Sequence, residues 1–144
     1  MSWDVQYEPG ALKAVGTKDG KIFATDEVYT TGEPASIGLS SDRESIAADP
    51  SDIAHLTVHV LDEKGRVVPT ADNEITFEIE GSGSLLATDN GNPASHEDYK
   101  SNRRKAFNGW CLAIVQSNGK TGEIQVKAVS PGLQAAHVTI GTKM

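Results

Sequence analysis

Cysteine is almost absent from this sequence: its 144 residues hold one, Cys111. No intramolecular disulfide can form, and a cysteine-rich zinc site is excluded. Basic residues are also scarce, with 13 Lys plus Arg against 20 Asp plus Glu, a formal charge of −7 and a pI near 5.0. The one basic cluster, Arg103, Arg104 and Lys105, is three residues long. It offers no electrostatic footprint for a phosphate backbone, so nucleic acid is not an expected partner. No apolar run approaches the roughly 20 residues of a membrane-spanning helix, so no membrane partner is expected either. With 38% hydrophobic and 23% charged residues, the composition is that of a globular chain. Neither a Gly-x-Ser-x-Gly elbow nor a glycine-rich phosphate cradle occurs, which leaves nucleophilic and nucleotide chemistry without candidates and implies no cofactor. The opening Met1-Ser-Trp-Asp-Val lacks the basic stretch and apolar core of a secretory signal, and the chain reads as a piece of a longer protein.

Period-two alternation dominates what is there. Trp3, Val5 and Tyr7 alternate ahead of a Glu8-Pro9-Gly10 turn, and the segments 12–16 and 22–29 flank Asp19-Gly20, a dipeptide suited to a tight hairpin. Residues 3–30 are therefore expected to form a partial three-stranded meander. Gly32-Glu33-Pro34 interrupts the pattern, because proline lacks a ladder donor, and divides the chain into residues 1–33 and 34–144. Beyond it, Leu56, Val58 and Val60 alternate with His55, Thr57 and His59. Ile75, Phe77 and Ile79 repeat the pattern, as do Ile124, Val126 and Ala128, and then Ala136, Val138 and Ile140. Lys64-Gly65, Asn118-Gly119 and Pro131-Gly132 punctuate the gaps. No segment offers ten residues of helical period, so residues 34–144 are expected to be an all-β sandwich.

One segment departs from alternation. Trp110 to Val115 is apolar at every position, so the strand is either covered on both faces or presents one face to something else. Small Cys111 and Ala113 suit the space between two sheets, which points Trp110, Leu112 and Ile114 outward. His55 and His59 are four apart, the spacing of zinc ligands on a helix, but on a strand their side chains stand roughly 13 Å apart and cannot share an ion. Both, and His137, are expected to face solvent, and no metal site is expected.

The stretch 89–98 packs carboxylates, amides, a hydroxyl and an imidazole into ten residues between strands. As a calcium loop it lacks the alternating acids, sixth-position glycine and closing glutamate of an EF-hand. As a catalytic site, the adjacent Glu97 and Asp98 cannot by themselves straddle a glycosidic bond at separations of about 5 to 9 Å. A third reading has Asp89, Asn90, Asn92 and Ser95 hydrogen-bonding the backbone of an ordered loop. A fourth has the loop, with His96, in polar contact with a sugar or a neighbouring domain.

These residues carry a resemblance. Trp3 to Gly16, Ala24-Thr-Asp-Glu-Val28 and Thr31-Gly-Glu-Pro34 are similar to the end of an immunoglobulin-like domain that follows the catalytic barrel of bacterial family 2 β-galactosidases. Asp89-Asn-Gly-Asn-Pro-Ala-Ser-His-Glu97 and Arg104 to Ser117 resemble the C-terminal immunoglobulin-like domain of the same enzymes. The resemblance implies an immunoglobulin-like β-sandwich preceded by the last strands of another such domain. It also implies that the family's acid/base and nucleophile glutamates lie in a (β/α)₈ barrel ahead of residue 1, since no residue here matches their motifs. Such enzymes are often periplasmic or exported. Thr17 stands where the family often has an aromatic residue and Ala94 where threonine is common.

The expected function is thus a non-catalytic accessory domain, with no catalytic or metal-binding residue of its own. Asp89, Asn90, Asn92, Ser95, His96, Glu97, Trp110, Leu112 and Ile114 are the residues expected to touch the remainder of the enzyme or a galactoside. Two alternatives are an independent carbohydrate-binding module and a cell-surface adhesion or spacer domain. An unpaired edge and apolar face in residues 3–30 also raise the expectation of packing or self-association there.

Overall fold

The computed structural model describes residues 2–144, and every regular element among them is a strand. The chain divides into two compact units between Thr31 and Gly32.

The first unit is an antiparallel ribbon of β1 (Ala11–Lys18) and β2 (Lys21–Tyr29). The Asp19-Gly20 dipeptide turns between them, both residues left-handed at φ 51° and 74° as a type I′ turn requires. At the open end, Thr30 N donates to Gly10 O and Gly10 N donates to Thr30 Oγ1. The expected third strand is not formed: Trp3, Val5 and Tyr7 join no ladder among the described residues. Alternation determines which side chains share a face, whereas a strand also needs a neighbour in register, and none is present for this segment.

The second unit is a sandwich. One sheet has the order β3 (Ser36–Ser41), β5 (Ile53–Leu61), β9 (Trp110–Ser117), β7 (Gly83–Asp89). The other has the order β4 (Ser45–Ala47), β11 (Ala136–Lys143), β10 (Gly122–Val129), β6 (Glu74–Gly81), β8 (Arg103–Lys105). All neighbours run antiparallel except β11 and β4. The inner faces supply the core. Leu56, Val58, Val60, Cys111, Ala113 and Val115 come from one sheet, and Ile75, Phe77, Ile124, Val126, Ala128 and Ile140 from the other. The alternation read from the sequence had this phase, with Ile79, Ala136 and Val138 lying half-buried around it.

Between β6 and β7 the chain crosses from one sheet to the other at Gly81-Ser82-Gly83. A Cβ on Gly81, which has φ 93°, would fall on the carbonyl oxygen of Glu123, and one on Gly83 would fall on Ile124 Cδ1. Only glycine lets the crossing strand lie this close to β10.

Two aspartates anchor the sandwich at its loops. Asp62 is buried where β5 ends and accepts hydrogen bonds from Gly32 N, Lys64 N, Arg66 N and Arg66 Nε, each at 2.9 Å. The Gly32 amide in the first place, then the Arg66 amide and guanidinium, holds its carboxyl well below the usual carboxylate range. Asp52 accepts two bonds from Arg43, at 2.6 and 3.1 Å, and one each from Ala47 N and Ile53 N. The Arg43 guanidinium, then the Ala47 amide, lowers it to about 2.

Both folded carboxyls bind protons more weakly than their unfolded counterparts. Their contribution is therefore complete above about pH 4 to 5 and is lost as the pH falls toward 2, because the unfolded chain takes up protons first. Thermal unfolding followed by circular dichroism should show a midpoint that drops steeply between about pH 4 and 2. Asp62→Asn should flatten that slope while lowering the midpoint at pH 7.

Candidate functional site

The two sheets present different outer faces. On the five-stranded sheet, outward positions are polar or charged: Glu78 and Glu80 of β6, Glu123, Gln125 and Lys127 of β10, His137 and Thr139 of β11. Lys127 Nζ and Glu78 Oε2 form an ion pair at 3.0 Å across the β10–β6 ladder. The outer face of the four-stranded sheet is built around an apolar row on β9. Trp110, Leu112 and Ile114 point outward while Cys111, Ala113 and Val115 are buried, the orientation expected from the small residues. Burial pushes the Cys111 thiol up to about 12, so it is inert as a nucleophile.

Register places His59 opposite Trp110, Thr57 opposite Leu112 and His55 opposite Ile114 on the β5 side. Asp89 lies opposite Leu112 and Ala87 opposite Ile114 on the β7 side. Trp110 is 48% exposed at the end of this row. It follows an Asn108-Gly109 turn whose two left-handed residues, φ 53° and 80°, fold Phe107 back to exchange hydrogen bonds with Trp110. Phe107, also exposed, therefore stands beside Trp110 on the same side of the hairpin.

His59 was expected to face solvent and does not do so fully. Its ring meets the Trp110 indole edge-on, centroids 3.9 Å apart at 78°, and its Nε2 is sealed from water without a hydrogen-bond partner. A flat aromatic neighbour on a pleated face covers the imidazole, which alternation alone cannot reveal. His55 instead lies 3.3 Å from Asp42 Oδ2, and His137 is exposed.

The 89–98 stretch turns its polar atoms on itself. Asp89 Oδ1 accepts from Asn90 N and Gly91 N, Asn90 Oδ1 from Asn92 N, Asn92 Oδ1 from Ala94 N, and Ser95 Oγ from Glu97 N. These Asx and serine turns are the third of the readings weighed above. Glu97 is occupied at both oxygens. Oε1 accepts from Lys105 N at 3.0 Å; Oε2 accepts from Ser95 Oγ at 3.1 Å and Asn90 Nδ2 at 3.3 Å, and lies 3.6 Å from Arg104 Nη1. His96 and Asp98 are exposed on the loop. Among the described residues, no three His, Cys, Asp or Glu side chains converge as a metal site would need.

The residue that organises this loop is Arg104, which the sequence shows only as part of a three-residue basic cluster. It is 1% exposed. Nη2 donates to Thr88 O at 2.7 Å and Asp98 O at 3.2 Å, Nε donates to Thr88 Oγ1 at 3.3 Å, and Tyr99 covers the guanidinium with its ring centroid 5.1 Å from Cζ. β8 is too short to announce this in the sequence, but in the fold Arg103 and Lys105 face solvent while Arg104, like Ala106 just after the strand, faces in.

Removing this buried guanidinium takes the Arg104 donor from the carbonyl oxygens of Thr88 and Asp98 and opens a void between the loop and the sandwich. Arg104→Ala should cost about 3 kcal/mol or more in denaturant unfolding. Arg104→Lys should recover little of it, because an ammonium cannot reproduce the fork that reaches Thr88, Asp98 and Glu97 together. Loop amides such as those of Asn92 and Ala94 should exchange faster in both variants.

Burial holds His59 below its ordinary value. Stability from its neutral form is complete above about pH 6.5 and falls as the pH drops below it, because the unfolded imidazole protonates first. Nuclear magnetic resonance titration should place His59 below about 6.5, and Trp110→Ala should move it back toward that value.

Comparison with known proteins gives this arrangement its setting. The sequence profile described as "Glycoside hydrolase family 2 C-terminal domain 5" matches residues 37–139, and a separate profile, described only as a domain of unknown function, matches residues 1–24. "Beta-galactosidase BoGH2A" of Bacteroides ovatus is 43% identical over 143 residues, which are 99% of this chain and 17% of that protein. A "Beta-glucuronidase" of Formosa agariphila is 32% identical over 140 residues, 95% of this chain and 14% of that protein. The crystal structure of a glycosyl hydrolase family 2 member from Bacteroides cellulosilyticus superposes with a TM-score of 0.95 at 35% identity, covering 99% of this chain and 18% of that one. The chain therefore spans less than a fifth of the length of these relatives. On these matches, the chain belongs to the C-terminal domains of glycoside hydrolase family 2.

Proposed function

We propose that residues 34–144 are a non-catalytic C-terminal sandwich that docks through Trp110, Leu112 and Ile114 on the remainder of a glycoside hydrolase. Residues 1–33 would be the last strands of the domain before it. The parent activity is hydrolysis of O-glycosyl bonds in carbohydrate degradation, with galactosides as the first substrate class to test. The observation that carries the docking reading is the asymmetry of the sheets: one outer face is charged and ion-paired, the other apolar along its central strand. Water is a good neighbour for the first and a poor one for the second.

Two further points support the reading. Glu97 is spent on the Lys105 amide, Ser95, Asn90 and Arg104, which engages both of its oxygens within the loop network. Relatives that contain this region are named a β-galactosidase in one case and a β-glucuronidase in another. A domain shared by proteins named for different sugars fits a structural part better than one that selects the sugar. In this reading Asp89, Asn90, Asn92, Ser95 and Glu97 shape the loop, and His96 on its outside makes polar contact with the parent or its glycan.

The purified chain should not hydrolyse a chromogenic galactoside that the parent enzyme cleaves. Turnover that copurifies with the chain and falls in Glu97→Ala or Asp98→Ala would overturn the non-catalytic assignment. For docking, Trp110→Ala should destabilise the parent by about 2 kcal/mol more than it destabilises the isolated chain. Equal losses would remove the interface, and calorimetric binding of galacto-oligosaccharides to the chain, abolished by Trp110→Ala, would make it a sugar-binding module instead.

A further inference from the structure

The β1–β2 ribbon has two chemically different sides. Cross-strand pairs assign Lys13 and Glu27 to one side together with Val15, Thr25, Ala11 and Tyr29. On that side Lys13 Nζ is ion-paired to Glu27, and the Tyr29 hydroxyl donates to the same carboxylate. The other side carries Leu12 opposite Val28, Ala14 opposite Asp26, and Gly16 opposite Ala24.

A bulge adds to this second side. The ladder steps from Gly16↔Ala24 to Thr17↔Ile22, which leaves Phe23 as the extra residue. A Cβ on Gly16 would lie 3.1 Å from Phe23 Cε1 and 3.5 Å from Ala24 Cβ, so the Phe23 ring lies over Gly16, in the space its missing side chain leaves open. Leu12, Phe23 and Val28 are all exposed. A two-stranded ribbon with a bare apolar face is at best marginally stable in water, so it requires another layer.

The family matches indicate what that layer is. A profile separate from that of the sandwich matches residues 1–24, and the relatives are more than five times as long as this chain. We propose that the Leu12, Phe23 and Val28 face of the ribbon is a docking surface for the stretch of the same polypeptide that precedes residue 1, with the Lys13–Glu27–Tyr29 side turned to solvent. The proposal rests on the assignment of residues 1–33 to a preceding domain and adds to it which side is inner. Asp26 is the one carboxylate on the apolar side, and opposite it stands only the small Ala14. The covering layer must therefore give it a donor or leave it at an edge.

Thiol accessibility tests the assignment. Single cysteines are placed at Leu12 or Val28 for one side and at Val15 or Thr25 for the other. They are introduced in the 144-residue chain and in the parent polypeptide, with other accessible cysteines replaced by serine. Buried Cys111, with its thiol pushed up to about 12, gives a slow background. In the parent, a water-soluble maleimide should label Leu12→Cys and Val28→Cys about tenfold or more slower than Val15→Cys and Thr25→Cys, whereas in the short chain all four should react readily.

Reversed protection, or equal protection of both sides, would overturn the choice of inner face while leaving the preceding-domain assignment intact. Four readily labelled sites in the parent would overturn both. Protection of Leu12→Cys and Val28→Cys in the short chain would also overturn the proposal. If it grows with protein concentration, a second copy is the occupant; if it does not, the covering layer lies within residues 32–144. Two positions on each side keep the comparison available if one variant does not fold, and none of these outcomes bears on the Trp110 docking surface.

Discussion

A strand hydrogen-bonded on both edges and apolar on both faces constrains everything packed around it. β9 is paired to β5 along one side and to β7 along the other, so it has no free edge and can only bury or expose its two faces. Its inner residues, Cys111, Ala113 and Val115, are small, and the facing sheet supplies the bulk through Phe77, Ile75, Ile124 and Ile140. Filling the space between two sheets about 10 Å apart demands this kind of complement, because voids and overpacking both destabilise. The inward choice of the small residues in turn leaves the large ones, Trp110, Leu112 and Ile114, on the outside. The outward apolar row, exposed at Trp110 and half-buried at Leu112 and Ile114, is thus coupled to the core, and no shift of register could bury it without exposing Cys111 and Ala113.

The second organising element is a charge. Arg104 enters the sandwich from a three-residue strand and is met by the backbone carbonyls of Thr88 and Asp98 and by the carboxylate of Glu97. A buried guanidinium has given up its water, so losing its acceptors is costly and few alternative geometries satisfy it. Here the partners belong to the end of β7 and to the 89–98 stretch, and Arg104 itself to β8, so one guanidinium fixes three chain segments relative to each other. Glu97 adds Ser95, Asn90 and the Lys105 amide to the same network. A loop of turns and short side chains, with little apolar surface to bury, acquires one shape through this network.

The sandwich was legible where strands are long and alternate. β5, β6, β10 and β11 announced both their existence and their inner faces, because a half-buried strand forces period two onto the sequence. Four strands were not visible. β4 and β8 have three residues each, too few to show a period. β3, Ser-Ile-Gly-Leu-Ser-Ser, has only two large apolar side chains. β7 loses its phase at Leu86, the extra residue of a bulge between Leu85 and Ala87. Trp3 to Tyr7 shows the converse, a clean alternation with no neighbour to pair with. At the candidate site, the outward row of β9 and the self-bonded loop were readable from residue size and turn chemistry. Arg104 and the half-buried His59 were not, because burial of a polar side chain depends on partners supplied from distant parts of the chain.

The contrast between the outer faces bears on why such a domain would be retained at the end of a large enzyme. Cross-strand pairs of opposite charge, such as Lys127 and Glu78, suit a face that stays in water and resists adventitious pairing. The four-stranded sheet differs along β9: the outward carboxylate beside it, Asp89, accepts from the amides of Asn90 and Gly91, and half-buried His59 has its Nε2 covered where its ring meets the Trp110 edge. Withdrawing charge from a surface lowers the desolvation cost of covering it, while an aromatic anchor at one end supplies contact area with few rotatable bonds. On the β1–β2 ribbon, likewise, the Lys13–Glu27 ion pair and the Leu12–Val28 pair lie on opposite sides.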